Sequence, residues 1–237
     1  MQVKTRAIVL SALRYQEKSL IVKCFTQSQG IVSYFVPSAF SSKKNSQRIA
    51  YFQPLSILEI EANHKNKGGL EYFKEVKIAV PYQTIPFDVV KGTIVLFLAE
   101  ILHTIIREEE ANDSLYIFFE TSLTWLDTHD NIANFHLFFL IELSKFLGFY
   151  PDLNCINLPF FDLVEGNFVS FPSSNTLDEI GTLLFKQFLV TKWHSNDIYI
   201  SRDQRTLILN LIFKYYNCHI DGFIKPKSVE IFRTVFL

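Results

Sequence analysis

Three cysteines, Cys24, Cys155 and Cys218, and six histidines, at 64, 103, 129, 136, 194 and 219, are the side chains from which this chain would build a metal centre. A structural zinc ion takes about four Cys or His ligands, usually in closely spaced pairs. Cys155 sits in a loop of the kind that can hold such an ion, "LGFYPDLNCINLPFFDLVEGNFVS" at 147–170, but His136 and His194 lie far outside pair spacing. Cys218 and His219 are adjacent at the end of a helical pattern, where neighbouring side chains point in different directions. The residues therefore predict neither a metal nor a cofactor. Cys155 reads as a small apolar side chain. Phe149, Tyr150, Phe160, Phe161, Phe168 and Phe171 read as the groups that pin the loop by hydrophobic contact.

Carboxylates gather once, at Arg107-Glu108-Glu109-Glu110 with Asp113 close behind. A metal-dependent nuclease would need such acids to converge, whereas consecutive positions on a helix diverge, so this run reads as a solvated face. Motifs of serine hydrolases, phosphate loops, zinc proteases and dinucleotide folds are absent. With eight glycines, few places let a backbone approach a phosphate closely. The chain reads as a non-enzyme, and a nuclease built on Glu108, Glu109, Glu110 and Asp113 is the alternative that chemistry would allow.

Charge is more informative. The net charge is -1, yet residues 1–80 hold 12 Lys+Arg against 5 Asp+Glu, and residues 81–237 hold 11 against 19. A basic segment joined to an acidic one points to a polyanion-binding part and a part that is not. Lys43, Lys44 and Arg48 lie in the polar insert "SSKKNSQR", Lys65 and Lys67 in "NHKNKGG", and Arg14 and Lys18 in "LRYQEK", with Arg6 upstream. Single-strand binders combine such cations with aromatic rings on which bases stack. Tyr15, Tyr34, Phe40 and Tyr51 are the ring candidates. The competing reading is a protein–protein adaptor whose basic surface meets a partner.

The elements that position these residues come in two sets. Residues 1–80 show five strand-like runs, "TRAIVLSALRY", "KSLIVKCFT", "IVSYFVP", "PLSILEIEA" and "LEYFKEVKIAV". Their alternation sets Ile31, Ser33 and Phe35 on one face and Val32, Tyr34 and Val36 on the other. Five strands of this length suit a closed barrel of the oligonucleotide-binding (OB) type, which leaves no exposed edge. Past Pro81 and Pro86 the pattern turns helical, with Asp88 and either Asn112 or Asp113 as N-caps and Gly148 closing the third helix. The expected fold is α+β in two domains: a basic OB barrel over 1–80 and a mostly helical domain over 81–237, with an irregular, zinc-free loop at about 149–175. Hydrophobic residues at 49%, including 24 Phe, exclude global disorder. Sparse cysteines and the lack of a signal-like or membrane-length apolar run predict a cytoplasmic protein.

The collinear set "TRAIVLSALRYQEKSLIVKCFTQSQGIVSYFVP", "YFQPLSILEIE", "LEYFKEVKIAVPY", "LFLAEILHTIIREEEAND" and "LSKFLGFYPD" resembles the RecO family of bacterial DNA repair and recombination mediators, across essentially the whole chain. The resemblance implies a protein that binds single- and double-stranded DNA, anneals complementary strands and helps load recombinase onto coated DNA. It implies three partners: DNA, the RecR protein and the acidic C-terminal tail of single-stranded DNA-binding protein. It also implies a nucleoid-associated location. Many members carry a four-cysteine zinc site after "LGFYPD", where this chain keeps Cys155 alone. Members also tend to have glycine in the loop after the third strand, where this chain has Ser38 and Ala39.

Overall fold

The computed structural model describes residues 1–40, 49–65, 69–107, 110–191 and 200–235. They form two compact units, Met1–Asp130 with Pro226–Ser228, and Asn131–Lys225 with Val229–Leu237.

The first unit begins with five strands: β1 (Gln2–Tyr15), β2 (Ser19–Thr26), β3 (Gly30–Val36), β4 (Ile57–Asn63) and β5 (Glu71–Val80). They close into a barrel in the order β1-β2-β3-β5-β4. All pairings are antiparallel except β3 with β5, a short parallel contact in which Tyr34 faces Glu71 and Phe35 faces Tyr72. Five strands closed in this order are an OB barrel. Ala7, Val9, Val22, Cys24, Tyr34, Leu58, Ile60 and Ala62 fill its interior. The β2–β3 turn needs Gly30, at φ +64°. Thr26 fixes the same turn by accepting from the Gln29 N–H (3.2 Å) and donating to the Gly30 carbonyl (2.9 Å).

Three non-glycine residues at positive φ shape the barrel's connections, the first being Gln16 (φ +53°) in the β1–β2 turn. Ser38, after β3, sits at φ +54°, the left-handed backbone that glycine adopts freely. The loop thus keeps a glycine-like geometry without a glycine. Leu55 lies at φ +57° and is wholly buried, a conformation that costs a non-glycine residue about 1–2 kcal/mol. Its N–H donates to Val9 O (2.7 Å) and its carbonyl accepts from Tyr82 Oη (2.7 Å), which offsets that cost. The same contact sits at the β-bulge of β1 between Val9 and Ser11.

The unit continues through two helices, α1 (Val89–Ile105) and α2 (Asp113–Thr128). Asp88 caps α1 by accepting from Val90 and Lys91, and Asn112 caps α2 by accepting from Leu115. α1 packs on β1, and Phe25 of β2 meets the rings of Tyr116 and Phe119 on α2 at 6.3 and 5.6 Å. The segment joining barrel to helices is held by one carboxylate. Asp127 accepts backbone N–H bonds from Gln83 (2.7 Å), Thr84 (2.8 Å) and Ile85 (2.9 Å). Buried Lys91 completes the clamp by donating to Thr84 Oγ1 and to the Asp127 carbonyl. Burial alone would push the Asp127 carboxyl up, but the N–H donors together hold it below its ordinary range.

In the second unit, α3 (Phe135–Phe146), α4 (Glu179–Leu189), α5 (Arg202–His219) and α6 (Val229–Val235) accompany a small hairpin, β6 (Phe160–Asp162) with β7 (Asn167–Val169). The segment expected to be irregular therefore contains a hairpin. Gly148, at φ +82°, ends the segment of α3 as its sequence predicts. Phe161 is the hub of the packing, edge-on to Phe168 (5.0 Å), Phe185 (5.0 Å) and Tyr215 (5.6 Å). Tyr215 and Tyr216 donate to the carbonyls of Phe149 and Leu140. Phe149, Phe161 and Phe168 thus pin the loop, whereas Phe171 is exposed. Cys155 is exposed too, not the packed apolar side chain that its setting suggests. No group of three or more His, Cys, Asp or Glu is placed to hold a metal among the described residues. No described helix is long and apolar enough to cross a membrane.

The Asp127 clamp has a measurable consequence. Asp127→Ala removes the acceptor of three N–H groups, that of Ile85 buried and those of Gln83 and Thr84 partly so, and is expected to lower stability by ~2 kcal/mol, a fall in Tm of roughly 4–8 °C. The folded carboxyl lies below its unfolded value. Its contribution is therefore complete above about pH 4 and is lost as pH falls through the folded pKa. Urea unfolding of both chains at pH 7 and at pH 3 checks this: the gap between them should narrow at the lower pH.

Candidate nucleic-acid interface

An OB barrel presents ligands to the β2–β3 face, between the β1–β2 and β4–β5 loops. The cross-strand register defines what that face carries. Ala12, Val22 and Tyr34 are partners across β1, β2 and β3 and point into the core. The next row must point outward, and it runs Leu13, Ile21, Phe35, Tyr72 across β1, β2, β3 and β5. Tyr15, two residues beyond Leu13, shares its face. Tyr15 meets Phe35 edge-on at 6.1 Å, and Phe35 meets Tyr72 edge-on at 5.8 Å. Tyr15 and Tyr72 are each 44% exposed and Leu13 is 59% exposed.

Cations border this row. Lys65, in the β4–β5 loop, places Nζ 5.8 Å from the Tyr72 ring centroid. Arg14 lies 4.8 Å over the ring of Phe40 and donates to the Glu17 carbonyl within the β1–β2 turn. The Phe40 N–H donates to the carbonyl of exposed Lys18 (3.3 Å), so the chain after β3 is tied to that same turn. Arg14, Lys18 and Lys65 are in no ion pair among the described residues. Cations elsewhere on β1 and β5 are paired instead. Lys4 pairs with Glu59 (2.9 Å), Lys74 with Glu61 (3.6 Å), Lys77 with Glu75 (2.9 Å) and Arg6 with Glu120. Among the described residues of the first 80, Lys4, Arg6, Lys74 and Lys77 are thus paired with carboxylates, while Arg14, Lys18 and Lys65 stand at or near the β1–β2 and β4–β5 loops.

The structure brings together part of the residue set that the sequence suggests. Arg14, Tyr15, Lys18 and Phe40 cluster at the β1–β2 turn, and Lys65 borders the same face. Lys43, Lys44, Arg48 and Lys67 lie outside the described residues, as do Glu108 and Glu109. Arg6 is removed from the cluster by its pairing with Glu120. Tyr34 is a correction. Its ring is wholly buried, stacked on Phe73 at 4.1 Å, and its hydroxyl bonds to His64 Nε2 at 2.9 Å, so it cannot meet a base. Tyr51 is half-buried against the barrel core. Phe35 and Tyr72 were not singled out by the sequence. The period-2 alternation around Tyr34 separates it from Phe35, but only burial shows which of the two faces outward.

The second unit offers a different kind of surface. A groove of about 710 Å³ is lined by Leu177, Ile180, Leu184, Leu207 and Leu211, by two cations, Lys214 and Lys225, and by the carboxylate Asp178 and several neutral polar side chains. Ile180 and Leu207 stand largely exposed beside it.

Comparison with known proteins covers both units. Residues 1–82 match the family model described as recombination protein O N terminal, and residues 86–228 the one described as recombination protein O C terminal. Proteins named DNA repair protein RecO from Flavobacterium johnsoniae and Flavobacterium psychrophilum are each 56% identical to this chain, over the full length of both chains. The protein of the same name from Bacteroides fragilis is 36% identical over 98% of each chain.

Proposed function

Because the chain belongs to the RecO family, we propose that it is a non-enzymatic recombination mediator of DNA repair, whose barrel binds single- and double-stranded DNA and anneals complementary strands. The observation that carries this reading is the segregation of charge on the barrel: paired cations on the β1–β4–β5 side, and Arg14, Lys18 and Lys65 around the OB ligand face. In sequence, Lys67 shares the β4–β5 connection with Lys65, and Lys43, Lys44 and Arg48 lie in the basic insert between β3 and β4. Two DNA strands repel each other. A cationic surface that holds both lowers that repulsion while leaving base edges free to pair, and this needs no nucleotide.

The partners follow from the same membership. RecR and the acidic tail of single-stranded DNA-binding protein are the proteins it would engage when recombinase is loaded, in the cytoplasm at the nucleoid. For the tail, an acidic peptide with an apolar end needs an apolar groove beside cations. The groove at Ile180 and Leu207 sets apolar side chains beside Lys214 and Lys225, and its carboxylate, Asp178, is engaged as the N-cap of α4; we assign the tail to it.

Three experiments test this. The chain is expected to accelerate annealing of dye-labelled complementary oligonucleotides in EDTA without nucleotide. Reversing Lys43, Lys44 and Arg48 to Glu, or Arg14, Lys18 and Lys65 to Glu, should weaken DNA binding roughly tenfold or more. Undiminished binding in both triple variants would favour the adaptor reading, in which the basic surface serves a protein. For the tail, Lys214→Glu with Lys225→Glu should reduce affinity for a synthetic acidic tail peptide and leave oligonucleotide binding unchanged. Equal peptide affinity in the two chains would remove the tail from this groove.

A further inference from the structure

We infer that Tyr15, Phe35 and Tyr72 form a stacking platform for unpaired bases, and that this row makes the barrel select single strands over duplex. The inference rests on the DNA-binding reading above and deepens it. Three observations carry it.

The row is a continuous outward stripe fixed by strand register, not a scatter of surface side chains. Leu13, Ile21, Phe35 and Tyr72 are successive cross-strand partners, and Tyr15 joins them through Phe35. Leu13, Tyr15 and Tyr72 are exposed and Ile21 and Phe35 half-buried between them, and apolar side chains grouped on a surface in this way mark a binding site.

The rings meet one another at interplanar angles of 84° and 77°. Edge-to-face contact holds each ring in place by its neighbour while leaving most ring faces without a ring partner. A base, which carries a π-face whatever its sequence, can use those faces.

The third observation is the charge around the stripe. Lys65 lies beside Tyr72, placed to take a backbone phosphate while bases lie on the rings, and Arg14 and Lys18 add positive charge at the β1–β2 turn that follows Tyr15 in the chain. That complementarity commits the surface to a nucleic-acid strand. A duplex can satisfy the cations, but its bases are already stacked on each other and cannot reach the rings. Cations therefore supply affinity to both forms, and the aromatic row supplies the difference.

The test measures binding of the full chain to an unlabelled-sequence pair of ligands: a single-stranded oligonucleotide and the same sequence as a duplex, at one salt concentration. Tyr72→Ala and Tyr15→Ala should each weaken single-strand binding roughly 5- to 150-fold, with duplex binding changed less than about twofold. Tyr72→Phe should retain the single-strand affinity, because the ring and not the hydroxyl does the stacking. In parallel, iodouridine photocrosslinking of a single strand to the unaltered chain should attach at Tyr15, Phe35 or Tyr72. Equal losses for both ligands, unchanged affinity for both, or crosslinks confined to other residues would overturn the platform. If the unaltered chain bound neither ligand, the DNA-binding reading itself would fail, which is a distinct result.

Discussion

The barrel is closed by a very short seam. β3 and β5 meet in parallel through Tyr34 with Glu71 and Phe35 with Tyr72, and both the interior and the candidate interface depend on those pairs. On the inner side, closure buries Tyr34 against Phe73 and lets its hydroxyl reach His64, which also draws the N-terminal amine to its carbonyl at 2.6 Å. On the outer side, the same closure sets Phe35 beside Tyr72 and completes the ring row that begins at Tyr15. Because side chains alternate along a strand, a one-residue slip in this seam would turn Tyr34 outward and Phe35 inward. The core and the interface are therefore fixed by a single register.

Charge is organised around that seam. A barrel with 12 basic residues in its first 80 positions could have spread them evenly. Instead, the acids of β4 and β5 neutralise the lysines of β1 and β5 on one side, and Glu120 of α2 takes Arg6. Exposed pairs of this kind add little stability. Their effect is on the field: they leave the positive potential concentrated near the β1–β2 and β4–β5 loops, where an OB barrel receives its ligand. Asp127 acts elsewhere, fixing the segment 83–85 against the end of α2.

Much of this was legible in the sequence, for reasons that differ by residue. The five strands, the caps at Asp88 and Asn112 and the stop at Gly148 follow from local patterns, and local patterns decide them. The hairpin at 160–169 was not legible, because three-residue strands are too short for alternation to register; Phe161 holds it through contacts distant in sequence. In the candidate interface, the grouping of Arg14, Tyr15, Lys18 and Lys65 at or near two connections was suggested by polar, basic stretches between strand patterns, which are visible in the sequence. Phe35 and Tyr72 were not, since alternation gives two faces without saying which is buried, and Tyr34 was read on the wrong one. The exposure of Phe171 and Cys155 likewise depends on packing that no local pattern encodes.

The central claim is that the cations near the OB face bind a DNA backbone. A salt titration of binding to a labelled single-stranded oligonucleotide tests it most directly. Each neutralised phosphate should add roughly -0.7 to the slope of log K against log salt. The account predicts a steep slope in the unaltered chain, shallower by about two units when Arg14, Lys18 and Lys65 are all replaced by Ala. A slope near zero, or one that the triple replacement leaves unchanged, would contradict it.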